Sequence, residues 1–248
     1  MTWFENLLKV DLPNVKGPRI IFEIPILGGI RITETVVMQW LVMLVLTCFI
    51  LWLTHDLKKN NISKRQVIAE TIVKFFNGMV KENMGPKNMA FAPYIAALFC
   101  LILFGALISM TGLRNANADI NVTMSFAILT FALITFYKFK NKGFLGYFKG
   151  YAEPVAFITP INIISEFATP VSMGFRLFGN MAGGMIITSL LYYALAAASN
   201  GLGLTFPIFA IGIPAVLSIY FDIFTGVIQS YVFIMLTMAF VGDAAQAD

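Results

Sequence analysis

The chain has 248 residues, of which 58% are hydrophobic and only 12% charged, with a mean hydropathy of +0.81. About a quarter of a soluble domain's residues are charged, so this composition excludes a soluble globule and fits a chain whose solvent is the lipid bilayer. The formal net charge of +4 does not imply nucleic acid as a partner, because the basic residues cluster beside apolar runs and form no solvated patch.

Residues 1–33 read as a leader on the outer side, and residues 34–248 as a single polytopic membrane domain. The leader shows no basic stretch followed by an apolar core, so no cleavable signal peptide is expected. Its opening residues are mildly amphipathic; a segment on the membrane surface and an unstructured leader both fit. A first span is expected over Glu34–Leu53, ending near His55, the only histidine, which reads as interfacial packing rather than proton transfer. Cys48 and Cys100 sit inside apolar runs and read as buried small hydrophobes, not as a disulfide or a metal site. Over about 64–80, apolar residues recur at helical spacing (Val67, Ile68, Ile72, Val73, Phe75, Phe76, Met79, Val80) within a polar, basic stretch, which predicts a surface helix. Further spans follow over Met89–Thr111 and Val122–Tyr137, the second leading into a Lys/Gly-rich loop, KFKNKGFLGYFKG.

Two longer segments complete the chain, from about 160 to 198 and from 206 to 241, joined by NGLGLTFP. A helix of over 35 residues reaches over ~50 Å at 1.5 Å per residue, well beyond a ~30 Å hydrocarbon core. Such helices tilt steeply or break, and Pro170, Pro207 and Pro214 allow kinks. A long, strongly tilted hairpin over about 160–241 is the expectation. The fold class is therefore an all-α integral membrane protein with about five crossing helices and one surface helix.

Orientation follows from the basic residues. Loop 54–88 carries seven and loop 138–150 carries four, whereas 112–121 carries only Arg114. The rich loops face the cytoplasm. This puts the N-terminus outside and the C-terminus inside.

After Lys149 the only Lys or Arg is Arg176, in the apolar run MGFRLFGNMAGGM. A guanidinium stays charged at any relevant pH, and at mid-membrane it costs ~2.5–3.5 kcal/mol on insertion scales. No acid lies at i±3 or i±4, and the nearer end of the segment is some 16 positions away, too far for snorkelling. Intramembrane charges of this kind mark ion pathways. At 100° per residue, Asn162, Ser165, Ser172, Arg176 and Asn180 share one stripe, with Gly179 and Gly183 beside them. Gly-x-x-x-Gly alone would signify helix packing; next to Arg and Asn it suggests more.

The last segment carries Ser218, Asp222, Thr225 and Gln229 on one face. Gln229 can offer its amide oxygen to Arg176 without neutralising it. Asp222, towards the outer side, either exchanges a cation with water or forms a salt bridge to Arg176. Glu166 lies on the cytoplasmic side of the arginine. The pattern is a fixed cation between two polar tracks, one opening to each side of the membrane. An arginine so placed favours the ionised form of a passing carboxylate and expels its cation.

Three runs, PVSMGFRLFGNMAGG (170–184), NADINVTMSFAILTFALITFYKFKNKGFLGY (117–147) and IQSYVFIMLTMAFVG (228–242), resemble subunit a of the F-type ATP synthase membrane sector. The likeness covers roughly residues 83–243. It implies a stator beside a rotating ring of c subunits, with two offset half-channels carrying H⁺ or Na⁺ and a tilted helix hairpin against the ring. Arg176 would face the ring carboxylates, with Asn180 and Gln229 as its polar neighbours. Glu166 and Ser172 match the cytoplasmic half-channel; Asp119 and Asn121 match polar positions near the outer side. The b subunits of the peripheral stalk would be partners, and the F1 sector an indirect one. Two positions depart from the family: Met185 stands where many members carry an ionisable Glu or His, and Asp222 where others often have His, Glu or Gly. The outer half-channel would then rest on Asp222 alone.

No G-x-x-x-x-G-K-[ST] phosphate loop is present, so ATP chemistry would belong to other subunits, and no cofactor is expected. A secondary ion-coupled transporter should show internal repeats, which these spans lack. An intramembrane enzyme would need a His/Glu, Ser/Lys or paired-Asp set within the spans. A bacterial plasma membrane is the expected location, with a mitochondrial inner membrane the lesser alternative.

Overall fold

The computed structural model describes residues 19–25, 30–55, 57–58, 63–151, 156–201 and 208–246. The opening residues, the hairpin tip with Pro207, and the side chains of Pro214 and Ser218 lie outside the described set.

Part of the leader takes on β structure. Strands β1 (Ile20–Ile24) and β2 (Ile30–Thr33) pair antiparallel, with Phe22 opposite Ile32 and Glu23 opposite Arg31. Glu23 and Arg31 also form an exposed ion pair at 3.1 Å. Thr33 leads directly into α1 (Glu34–Thr54). Helix α2 (Lys64–Met84) begins where the Ser63 hydroxyl accepts the Gln66 amide, an N-cap that sets its start. It then runs four residues beyond the expected surface helix.

A 3₁₀ turn at Pro86–Phe91, helix α3 (Ala92–Leu107) and a second 3₁₀ turn at Ile108–Thr111 make the second span. Helix α4 (Ile120–Tyr151) extends past the expected end of its span. The Lys/Gly-rich stretch expected as a loop is helical. Gly143, at φ +67°, provides the one break, in a region that favours glycine. Helices α5 (Thr159–Gly201) and α6 (Ile208–Gln246) are the two long segments, and Pro170 lies inside α5 without ending it. Five helical stretches are long and apolar enough to cross a membrane: Glu34–Thr54, Pro86–Thr111, Ile120–Phe144, Thr159–Ser199 and Asp222–Ala245.

Helices α3, α4 and α5 all pack against α6, and α5 also packs against α4. Close approach depends on two glycines. A Cβ on Gly174 would meet the Met124 sulfur at 2.7 Å, and one on Gly226 would meet Ala106 Cβ at 3.1 Å. The core joins Ile95 and Ile102 of α3, Met173 and Leu177 of α5, and Ile234 and Met238 of α6. Phe76, Val80 and Met84 bring α2 onto the same core, while Val67, Ile68, Ile72 and Val73 stay exposed. The surface helix therefore has one apolar face against protein and another turned outward.

Candidate ion-conducting site

Met173 and Leu177 turn into the core, and Arg176, between them in sequence, turns out. Around the helix Arg176 lies about 60° from Met173 and about 100° from Leu177, both offsets in the same sense, so it stands at the flank of the buried face. Arg176 is exposed on the outer face of α5, in company with Ser172, Gly179 and Asn180. Among the described residues it makes no ion pair and no hydrogen bond. Nothing lies within 4 Å of a Cβ built on Gly179 or Gly183, so the surface beside the arginine is open.

Two cavities meet α5 on either side of this position. One, of about 550 Å³, lies between α5, α6 and the segment after α3; Ser109, Arg114, Asn115, Asn180, Asp222 and Thr225 line it. Met185 lines the same cavity, so the position where the family often carries an ionisable group does face it. The other, of about 350 Å³, is lined by Ser165, Thr169, Ser172 and Arg176 from α5, with Leu236 and Phe240 from α6. No residue is common to the two. Arg176 to Asn180 is one turn of helix, and that turn is where one polar space ends and the other begins.

The second cavity continues. Ser165 and Thr169 also line a space of about 330 Å³ with Lys138, Tyr147, Tyr151, Asn162 and Glu166. Here the Glu166 carboxylate is held by the Lys138 ammonium at 2.8 Å, by the Tyr147 hydroxyl at 3.2 Å, and by the Tyr151 hydroxyl on its other oxygen. The Tyr151 and Tyr147 hydroxyl oxygens lie 2.5 Å apart. Burial first, and then the Glu166 carboxylate beside them, push both phenols above the usual tyrosine range.

The remaining expected residues lie elsewhere. Asp119 is buried at the start of α4, accepting from Thr35 Oγ1 at 2.5 Å and from the Asn121 amide at 2.9 Å. It caps α4 and ties it to α1, and it lines none of these cavities. Gln229 is half-buried, lines none of them, and forms no hydrogen bond to Arg176. Asp222 forms no ion pair with Arg176 either.

Several residues at the site had no place in the sequence reading. Lys138 entered it only as an orienting charge, Tyr147 fell in the expected loop, and Tyr151 lay just beyond it. Arg114, Asn115 and Ser109 reach the Asp222 cavity from the turn after α3. Only Arg114, the single basic residue of loop 112–121, offered a signal.

The sequence model of the ATP synthase A chain matches residues 36–242, which takes in every cavity-lining side chain named above. The chain belongs to the ATP synthase A chain family. Its relatives include the ATP synthase subunit a described as sodium ion specific from Propionigenium modestum, 34% identical over 94% of this chain and 88% of the relative. The ATP synthase subunit a of Oceanobacillus iheyensis is 32% identical over 92% of this chain and 95% of its own. That of Moorella thermoacetica is 30% identical over 89% and 94%. The matched residues take in α5, all but the last turn of α6, and the lining of both cavities.

Proposed function

We propose that this chain is the stator of a rotary ATP synthase, conducting ions through two offset half-channels against a ring of carboxylate-bearing subunits. The observation that carries this reading is Arg176, unpaired and turned outward between two polar cavities that share no residue. A bare guanidinium facing hydrocarbon is costly, so a polar or anionic surface must cover it; passing carboxylates on a neighbouring ring supply one.

Each side chain then has a task. Asp222 and Asn180 serve the outer half-channel, where Asp222 exchanges the cation with water and Met185 contributes no second relay. Ser172 and Glu166 serve the cytoplasmic half-channel. Asp119 supports the outer side by holding the start of α4, and Gln229 turns to Arg176 when a ring carboxylate arrives. Arg176 favours the ionised carboxylate, so the cation leaves before the carboxylate passes, and no cation crosses directly between the cavities. The driving force is ~2.3 kcal/mol per charge per 100 mV for H⁺ and Na⁺ alike. The relative described as sodium ion specific makes Na⁺ the ion to test beside H⁺.

In this reading α2 and the end of α4 lie at the cytoplasmic face of a bacterial plasma membrane, with the N-terminus outside, and the basic residues of loops 54–88 and 138–150 support it. The b subunits of the stalk are further partners, and the exposed face of α2 and α1 is the surface left for them. ATP-driven uptake of ²²Na⁺ and of protons into inverted vesicles, native against Arg176→Ala at equal assembly, tests the reading. Loss of uptake with the complex intact supports it; undiminished uptake removes Arg176 as the gate and the half-channel reading with it.

A further inference from the structure

The Lys138–Glu166 pair has a placement that the half-channel scheme does not use. Both residues line the 330 Å³ cavity towards Tyr151 and Asn162, and both line a second space of about 320 Å³ towards Phe240 and Asp243. The pair is thus the wall between two polar spaces, with Thr169 and Lys142 also common to both. The Glu166 side chain is only 8% exposed, while Lys138 is 34% exposed and reaches it from α4 across 28 residues of sequence. The groups facing Glu166 are Lys138, Lys142, Tyr147 and Tyr151 from α4, and Asp243 from α6.

A buried carboxylate without a counter-charge is expensive and takes up whatever cation is at hand. In a conduction path that is a fault, since binding must be weak enough for the ion to leave. We propose that Lys138 is a positioning residue of the cytoplasmic cavities: it occupies Glu166 as an internal counter-ion, so that a translocated cation is not retained there. The two tyrosine hydroxyls add a second donor on Oε1 and a donor on Oε2 of the carboxylate. Glu166 then lends polarity to the path without becoming a binding site in it. The inference rests on the half-channel reading above.

The test is ATP-driven uptake in inverted vesicles, whose outer face is the cytoplasmic one, measured against the outside concentration of the carried ion. The probes are ²²Na⁺ and, separately, proton uptake. In Lys138→Met, Glu166 retains the incoming cation. The apparent KM falls about tenfold, the least change an opposite charge at this distance brings to a carboxylate's cation affinity, and the maximal rate falls with it. Lys138→Gln keeps a donor but no charge and follows Lys138→Met, whereas Lys138→Arg restores native values. A packing defect alone would lower the rate and the amount of assembled complex at unchanged KM, and that result overturns the proposal. So does a native KM in both neutral variants. If the native complex carries neither ion, the half-channel reading itself fails; if it carries one and the KM does not move, only the role of Lys138 fails.

Discussion

The Thr35 hydroxyl donates a 2.5 Å hydrogen bond to Oδ2 of Asp119, joining the first turn of α1 to the start of α4 across 84 residues of sequence. Both residues are buried, Thr35 fully. Thr35→Val keeps the shape and removes the donor, leaving a buried carboxylate oxygen short of a partner. A loss of about 1–3 kcal/mol is expected, read as a lower unfolding temperature of the purified complex in detergent. An unchanged midpoint would mean that the bond to Oδ2 adds nothing to the Asn121 bonds on Oδ1.

Gly174 lies two residues before Arg176 and faces the opposite way, onto Met124. Gly174→Val pushes α5 off α4 at the level of the arginine. Overpacking of this kind costs about 1–3 kcal/mol, and ATP hydrolysis should lose its coupling to ion uptake before the complex loses stability. The double variant Gly174→Ala with Met124→Ala should recover coupling. If it stays as defective as Gly174→Val, the contact with Met124 is not what sets the position of α5.

Asp222 lines the 550 Å³ cavity, with Arg114 lining the same space. Asp222→Asn should slow ATP-driven uptake by about two orders of magnitude, the lower range for removing a proton-transferring side chain. The passive leak should stay at the native level, because Arg176 is untouched. Near-normal uptake in this variant would take Asp222 out of the pathway.

Tyr147 and Tyr151 are held neutral by burial and by the anion beside them, so their folded-state pKa values lie above the unfolded one. The sign follows from linkage: the stabilisation is complete below the unfolded tyrosine pKa of about 10 and is lost as pH rises through the higher folded values. In a tyrosinate absorbance titration of the native complex, these two phenols should ionise after the exposed tyrosines. Tyr151→Phe should remove one late-titrating group. Should all tyrosines ionise together near pH 10, the cluster around Glu166 is open to water.

What could be read from the sequence follows from how far apart the relevant residues are. Spans are local, and hydropathy alone located α1, α3 and α4 to within a few residues at their starts. The stripe of Ser165, Ser172, Arg176 and Asn180 was legible for the same reason, since one helix period relates them all. The end of α4 was not, because Gly and Lys there mimic a loop, while a single positive φ at Gly143 lets the helix resume. The β-hairpin was hidden by the short apolar runs on either side of Pro25, too brief for their period to be read. Asp119 was placed by resemblance near the outer side, although its position just before an apolar helical run already marked it as a cap. Lys138 and Glu166 meet from different helices, and Arg114 shares a cavity with Asp222 from the turn after α3; no spacing rule reaches across either gap.

The outward turn of Arg176 also bears on manufacture of the complex. On the half-channel reading proposed above, the seal between the two cavities is not finished within one polypeptide; it is a seam that closes only when a second surface arrives. A chain inserted alone presents a naked cation to lipid and two wells with no lid between them. Its half-life before capture by a partner should therefore be short, and a membrane quality-control protease would find its cue in the same residue that makes the finished machine tight.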